Sequence, residues 1–272
     1  MTFLEYLINI LRGTMPIPAL FGWFHLLWLA ITAVAIFLAA YYGPRLKKRQ
    51  VDNIVLVTAI VVIVMEVFKQ LIFTFSVGED GIATYYQWYA FPFQFCSTPM
   101  YVGLLAGIIR KGKVSDCLCA YLATFAVFAG TAVMLYPGDV FTELTGVNIQ
   151  TMVCHGSMLP IGTLLFASGR VKFSHKTILK ACCVFTVTLG LACILNEVAH
   201  LTGLLNNHNF NMFYVSPYCA PSLPVYSLVQ QVVPFPISLI IYVVGFTAAA
   251  SLMMVLHMPL KRYRAKVLAS KD

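Results

Sequence analysis

Cys96 and His155 are the two side chains of this sequence whose types could together perform nucleophilic chemistry. They occur in the stretches FPFQFCSTPM and QTMVCHGSMLPIG, 59 positions apart. A cysteine attacks as its thiolate, which is scarce at neutral pH unless a histidine or a cation lies nearby. Buried thiols are more often inert small hydrophobes, so a catalytic Cys96 is a hypothesis whose alternative is plain packing.

The elements that must position this pair are membrane helices. The 272 residues are 60% hydrophobic and only 10% charged, too few charges for the surface of a soluble domain. A helix needs roughly 20 apolar residues to cross the hydrocarbon core of a bilayer. We predict an all-α polytopic membrane helix bundle, with an interfacial amphipathic segment at 1–19, a transmembrane domain at 20–258 and a basic tail at 259–272. Seven transmembrane helices are expected, at residues 20–42, 52–76, 91–110, 115–136, 149–169, 177–201 and 232–257.

The basic residues indicate how the chain lies in the membrane. Sixteen of the 18 Lys and Arg residues follow alternate spans and so fall on one face of the bundle. Positively charged loops stay in the cytoplasm, so the N-terminus is expected outside and the C-terminus inside. This topology explains the net charge of +8, and we expect no nucleic-acid partner. The sixteen residues are Arg45, Lys47, Lys48, Arg49, Arg110, Lys111, Lys113, Arg170, Lys172, Lys176, Lys180, Lys261, Arg262, Arg264, Lys266 and Lys271.

Polar residues within the predicted spans lie toward the outer ends of those spans. An ionisable side chain in hydrocarbon costs at least about 2.5–3.5 kcal/mol on insertion scales, so each should face the bundle interior for a reason. The cytoplasmic halves of the spans are almost purely apolar, which indicates a polar cavity open to the outer leaflet and argues against a simple channel. The residues concerned are His25, Glu66, Lys69, Gln70, Gln94, Cys96, His155, Ser157, Asn196, Glu197 and His200.

Several of these residues also have a structural interpretation. Glu66 and Lys69 are spaced i, i+3 and would neutralise each other along one helix face, which is the favoured interpretation of that pair. His25 lies among aromatics in WFHLLW and would hold a backbone carbonyl. Asn196 and His200 share one helix face at i, i+4, where lining a site is favoured over packing.

Metals and cofactors are not expected in this site. The histidines form neither an H-x-x-x-H nor an H-E-x-x-H motif. The eight cysteines have neither the paired spacing of a zinc site nor a disulfide framework.

The longest loop, residues 201–231, is expected to cover the outer mouth of the cavity. It is rich in Asn, Tyr, Phe and Pro, whereas flexible linkers are poor in aromatics. Loops of this length are usually functional. We predict a lid or re-entrant segment with Tyr214 lining the cavity, and an aromatic interfacial belt at the same level in residues 84–93.

A family resemblance is carried by four stretches: WFHLLWL, FPFQFCSTPMYVGLLAGI, QTMVCHGSMLPIGTLLFAS and NFNMFYVSPYCAPSLP. Their order and spacing, from about residue 21 to 250, resemble the YwaF-type family of small polytopic membrane proteins. Vertebrate relatives of that family are acyltransferases that load arachidonoyl groups onto lyso ether phospholipids, using a cysteine at the start of one span and a histidine about sixty residues later. The resemblance implies that Cys96 is the nucleophile and His155 its general base. We accordingly expect a multi-pass protein of a bacterial cell membrane.

The reaction that the resemblance implies is ping-pong acyl transfer. His155 would take the thiol proton, and Cys96 would attack an ester carbonyl of a phospholipid that enters from the outer leaflet, forming a thioester. A lysophospholipid hydroxyl, or water in a hydrolase, would then take the acyl group with His155 as the base.

Further residues would assist this reaction. Gln94, Asn196 or the amides near Ser97 would stabilise the tetrahedral oxyanion. His25 and Glu197 would orient the base or bind the lipid head group.

Two non-enzymatic alternatives stay open at this point. One is a transporter subunit or membrane receptor that binds a small polar ligand in an outward-facing cavity, with Glu66, Lys69, Glu197 and the histidines as contacts. The other is a structural or chaperone-like membrane partner. An acyl thioester on Cys96 would distinguish the enzyme from both.

Overall fold

The structure is a computed structural model that describes residues 2–203, 210–219, 223 and 225–270. These residues are mostly α-helical, with short 3₁₀ segments at Gly43–Arg45, Trp88–Ala90 and Met212–Tyr214. The helices are α1 (Phe3–Leu11), α2 (Trp23–Tyr42), α3 (Lys48–Thr74), α4 (Thr98–Ile108), α5 (Gly112–Ala123), α6 (Phe125–Leu135), α7 (Thr145–Ala167), α8 (His175–Leu201), α9 (Tyr226–Val232), α10 (Phe235–Leu256) and α11 (Pro259–Ala269). We call the two ends of the bundle outer and cytoplasmic after the predicted orientation.

Six helical stretches in the described part of the chain are long and apolar enough to cross a membrane. They are α2, α3, α5 with α6, α7, α8, and α10 with α11. The polytopic helix bundle expected from the composition is therefore confirmed.

The third predicted span, residues 91–110, is not one long helix. α4 has only 11 residues, about 16 Å at 1.5 Å per residue, which is roughly half the thickness of the hydrocarbon core. Pro99 occupies its first turn, where a missing N–H costs nothing, and the residues before it form an irregular turn. Cys96 thus lies in the non-helical turn that precedes α4 and not within a helix.

A β-hairpin at the outer end of α3 is an addition to the predicted all-α fold. β1 (Phe75–Gly78) pairs with β2 (Gly81–Thr84) in antiparallel register. Gly81 closes the turn with a φ of 102°, which glycine adopts without a side-chain clash.

α7 lies at the centre of the bundle. It packs against α2, α3, α5 and α6. The share of the apolar window that is buried inside the bundle is 72% for α7 and 17% for α2. A Cβ at Gly130 on α6 would lie 2.6 Å from the carbonyl oxygen of His155, so α6 passes directly over the backbone of that residue.

The predicted N-terminal amphipathic segment contains the helix α1. Thr2 and Glu5 form a reciprocal capping box at its start. Phe3, Leu4 and Ile10 are exposed, as the apolar face of an interfacial helix would be before it meets lipid. The placement of α1 at the membrane interface stays a prediction.

Candidate functional site

The segment that carries Cys96 is a tight turn fixed by hydrogen bonds. The amides of Ser97 and Thr98 both donate to the carbonyl oxygen of Gln94, at 2.8 and 3.1 Å. Thr98 Oγ1 lies 2.6 Å from the hydroxyl of Tyr121. These bonds hold the thiol in place, and they also occupy the two amides that the oxyanion prediction needed. An orienting role for the side chain of Ser97 stays a prediction.

His155 has one ring nitrogen that is held and one that is free. Nδ1 lies 2.7 Å from the carbonyl oxygen of Thr151, one turn earlier on α7. A carbonyl oxygen only accepts, so Nδ1 carries the proton and Nε2 presents its lone pair. Nε2 is buried and has no hydrogen-bond partner among the described residues. A buried acceptor without a partner costs stability, and a free lone pair is what a general base requires.

The Cys96 segment packs against the turn of α7 that carries His155. The thiol of Cys154, the residue before this histidine, lies 3.9 Å from the carbonyl oxygen of Cys96. That turn is about 15 Å along α7 from its first residue, Thr145, at 1.5 Å per residue. The turn of α7 that carries His155 is therefore in contact with the Cys96 segment.

Glu66 is the centre of a buried polar network beside this pair. Its carboxylate accepts from Lys69 at 2.8 Å, from Gln70 at 2.7 Å and from Gln150 of α7 at 2.8 Å. Glu66 is only 4% exposed, so these donors replace the water that the charge has lost. The predicted i, i+3 pair on α3 is formed.

Lys69 connects this network to the thiol. Its one ion pair in the described residues is with Glu66, and 14% of its side chain is exposed. Lys69 acts electrostatically on both Cys96 and His155. Charge interactions are strong in a low-dielectric interior. The network thus contains a cation, whose charge is balanced by Glu66.

Gln94 and Asn196 hold a segment of the long outer loop. Gln94 donates to the carbonyl of Asn211 and accepts from the amide of Phe213, both at 2.9 Å. Asn196 likewise donates to the carbonyl of Met212 at 3.0 Å and accepts from the amide of Met212 at 2.8 Å. Both side-chain amides are thus engaged with backbone, a role that sequence analysis did not assign to them. Oxyanion stabilisation by either one stays a prediction.

The clamped loop segment has a strained backbone and lies near the thiol. Phe213 and Tyr214 both have a φ of 58°, a left-handed conformation that costs roughly 1–2 kcal/mol for a residue with a Cβ. The hydroxyl of Tyr242 donates to the carbonyl of Phe213 at 3.0 Å. The ring of Phe213 packs against the ring of Phe95, the residue before Cys96, with 5.7 Å between centroids. Residues 204–209, 220–222 and 224 of the predicted lid lie outside the described residues.

His25 does not belong to this group. Its Nδ1 accepts from the amide of Phe21 at 3.0 Å, and its Nε2 lies 2.8 Å from the carbonyl oxygen of Met134. The ring is fully buried with both nitrogens occupied. The structural interpretation of His25 therefore fits better than a place in a substrate cavity, because no polar atom of the ring is left for a ligand.

Glu197 and His200 form a separate group on the outer surface. The hydroxyl of Tyr218 donates to Glu197 at 2.8 Å, and its ring stacks on His200 with 3.5 Å between centroids. The hydrogen bond to Glu197 raises the pKa of Tyr218 above its usual value. All three side chains are exposed. The single polar cavity that was expected to unite these residues with Cys96 is thus divided into separate clusters.

Two clefts adjoin the candidate site. An apolar crevice of about 30 Å³ lies between α3, α4 and α7, with Pro99, Cys154 and Ser157 among its lining residues. A wider cleft of about 270 Å³ lies at the outer part of α8, beside Asn196 and Glu197. The crevice begins at the Cys96 segment, because Cys154 lines it and also contacts that segment.

Two residues of the site escaped sequence analysis. Thr151 lies four residues before His155, so helix geometry alone could have suggested that its carbonyl meets the histidine ring. Gln150 bonds to Glu66, which lies 84 residues away, and no local pattern indicates such a partner.

Comparison with known proteins supports the membrane assignment and gives a family. The model of the TMEM164 family, a transmembrane protein family, matches residues 20–256. No curated protein and no solved structure matches the chain. The matched region contains Cys96, His155 and the helices that position them. Because the match covers far more than half of the sequence, this multi-pass membrane protein belongs to the TMEM164 family.

Proposed function

We propose that this protein is a membrane lipid acyltransferase, or a lipid hydrolase, that works through an acyl thioester on Cys96. The observation that carries the proposal is the buried Nε2 of His155, which has no partner in the described part of the chain and lies on the turn of α7 that packs against the Cys96 segment. Thr151 fixes the tautomer of the ring, which completes the usual set of nucleophile, base and orienting group. The resemblance of four sequence stretches to the YwaF-type family supports the same chemistry.

The first half-reaction transfers an acyl group to the enzyme. Nε2 of His155 takes the proton of the Cys96 thiol. The thiolate sulfur attacks the ester carbonyl carbon of a phospholipid, and a tetrahedral oxyanion forms. The carbon–oxygen ester bond then breaks, and the leaving alkoxide takes the proton back from His155, which yields a lysophospholipid and a thioester.

The second half-reaction releases the acyl group. The hydroxyl of a lysophospholipid, or water in the case of a hydrolase, gives its proton to His155 and attacks the thioester carbonyl. The carbon–sulfur bond breaks, and the thiolate of Cys96 is reprotonated. The product is an acylated phospholipid or a free fatty acid.

The surroundings of the thiol support a lipid as the substrate. The crevice beside the Cys96 segment is lined mainly by apolar side chains, including Val62, Met100 and Ile161. Such walls match a hydrocarbon chain in polarity and offer little to a polar ligand. No cofactor is needed for this transfer.

The non-enzymatic alternative receives less support from the same region. A receptor for a small polar ligand would use Glu66 as a contact. That carboxylate already accepts from Lys69, Gln70 and Gln150. A ligand would have to break these internal bonds in a buried site, at a cost of about 1–3 kcal/mol for each group left unsatisfied.

The test is to trap the acyl-enzyme. Purified protein in nanodiscs is incubated with phospholipid carrying a labelled acyl chain, and the intact protein and its peptides are analysed by mass spectrometry. We expect a label on Cys96 that hydroxylamine removes, and none in Cys96→Ser. Cys154→Ser is the matched control, since this neighbouring thiol faces the same segment and should leave labelling intact.

Labelling that persists in Cys96→Ser, or that is lost in Cys154→Ser, would disprove a Cys96 thioester. Equal lipid turnover by wild type and Cys96→Ser would reject the enzyme as a whole.

A further inference from the structure

The cytoplasmic end of the bundle holds a second polar cavity, remote from Cys96. Its volume is about 230 Å³, far above the roughly 10–15 Å³ that one water molecule requires. Ser168, on its wall, follows His155 by 13 residues, which is about 20 Å of helix. The lining residues are Leu46, Lys48, Val51, Ser168, Gly169 and Arg170.

One cation at this cavity is already neutralised. Arg170 pairs with Asp52 at 3.1 Å and with Asp116 at 3.2 Å, and it also donates to the hydroxyl of Ser115. Lys180 pairs with Asp116 at 2.8 Å. Two carboxylates thus balance two cations, and this cluster leaves no net charge to attract a ligand.

Arg264 of α11, in contrast to Arg170, has no carboxylate partner among the described residues. Its guanidinium group lies directly on the Cα of Gly169, where a Cβ would collide with it. Gly169 has a φ of 73°, which also favours glycine at this position. Nε of Arg264 is buried and has no hydrogen-bond partner among the described residues. The backbone therefore makes room for a guanidinium whose hydrogen-bonding capacity is unused.

Lys48, on the wall of the same cavity, also lacks an acidic partner in the described part of the chain. Its neighbour one turn later on α3, Asp52, is taken by Arg170. Lys48 lines this cavity, and Arg264 contacts Gly169, another lining residue, so two cations without an acidic partner in the described part of the chain lie at one cavity. Guanidinium and ammonium groups are typical ligands of a phosphate oxyanion.

We propose that this cavity binds a phosphate group, supplied by the head group of an anionic phospholipid in the cytoplasmic leaflet or by a free phosphate anion. The basic loops and α11 lie at this end, where an anionic leaflet attracts clustered Lys and Arg residues. The site is independent of the acyl chemistry at Cys96.

The experiment measures lipid binding by native mass spectrometry and thermal unfolding of the full chain. The probes are phosphatidylglycerol, zwitterionic phosphatidylcholine and inorganic phosphate. The variants are Lys48→Gln and Arg264→Gln, and Arg264→Lys keeps the charge while removing the guanidinium. Arg262→Gln is the matched control, because Arg262 is an exposed cation on the same helix.

We expect phosphatidylglycerol to bind wild type at least tenfold more tightly than phosphatidylcholine. Lys48→Gln and Arg264→Gln should each weaken that binding by about tenfold, Arg264→Lys by less, and Arg262→Gln not measurably. Competition by millimolar inorganic phosphate would assign the site to a free anion, whereas its failure to compete would assign it to the lipid. Equal losses in Arg262→Gln and Arg264→Gln, or equal binding of the two lipids, would overturn the proposal, since diffuse charge attraction would then explain the binding.

Discussion

Two buried clusters of charge, one in the outer half of the bundle and one at its cytoplasmic end, differ in how completely their members are paired. At the cytoplasmic end, Arg170 is bonded to two carboxylates and a hydroxyl across three elements. In the outer cluster, Lys69 has one ion pair, and the neighbouring Nε2 of His155 has no partner among the described residues.

The difference separates groups that hold helices together from groups that are free to react. A buried network with every member satisfied rigidifies the packing around it. A buried group that is left without a partner costs free energy, and such a cost is commonly met at functional sites. The pairing of Arg170 thus indicates a structural role, and the open lone pair of His155 is the group that the proposed acyl chemistry would use.

The largest expected effect comes from His155→Gln. Loss of the general base should lower lipid turnover by about 10²- to 10⁴-fold. The midpoint of thermal unfolding should fall less than in His25→Gln, because His155 has one ring nitrogen bonded in the described structure and His25 has two. Acyl transfer by the purified variant is followed with labelled phospholipid, beside unfolding in detergent.

A His155→Gln protein with a lower unfolding midpoint and unchanged lipid turnover would contradict this prediction, because His155 would then have a structural role. Thr151 gives no simple control here because its contribution is a main-chain carbonyl. His25→Gln is the better one, since both nitrogens of His25 are occupied and its loss should reduce stability more than specific activity.

Arg170→Gln should have the second largest effect, and on stability. It removes one partner of a buried ion pair and leaves Asp52, which is 3% exposed, without its cation. Breaking such a pair typically costs about 3–5 kcal/mol of unfolding free energy. Equilibrium unfolding in mixed micelles measures this loss. Lys180→Gln is the matched control, because 41% of its side chain is exposed and solvent screens its pair with Asp116.

A smaller effect is expected from Asn196→Ala, which releases the strained loop. The variant leaves the amide and carbonyl of Met212 without their partners, at a cost of about 1–3 kcal/mol. Hydrogen–deuterium exchange of residues 210–219 should accelerate, and labelling of Cys96 should fall while helix content is retained. Tyr214→Gly should oppose this effect by removing left-handed strain at one residue. Unchanged exchange in Asn196→Ala would show that the clamp does not hold the loop.

The long spans could be predicted from the sequence because they depend on a local pattern, whereas the pairing of Cys96 with His155 stays a prediction. Apolar runs of sufficient length predict α2, α3, α7 and α8. The polar residues within these runs are recognisable because a polar side chain in hydrocarbon costs free energy. The shortness of α4 was harder to predict, because Pro92 and Pro99 indicate a break in the helix but do not fix the residue at which the helix begins. The hydrogen bonds of Gln94 and Asn196 to the outer loop could not be predicted. Gln94 and Asn211, for example, are 117 positions apart in the sequence, and only tertiary packing brings them together.

The smallest effect is expected at the outer surface, where solvent screens both partners of a pair. Glu197 accepts from the neutral hydroxyl of Tyr218, which raises the pKa of Tyr218. Because the folded-state pKa is raised, the bond's contribution is fully present below the ordinary tyrosine pKa of about 10 and is lost as the pH rises through the folded-state value. Glu197→Gln should therefore lower the pKa of Tyr218, as measured by absorbance at alkaline pH against a Tyr218→Phe reference, and should leave acylation of Cys96 unchanged. A loss of acylation in Glu197→Gln would join this exposed group to the buried site and remove the distinction between paired structural charges and reactive groups.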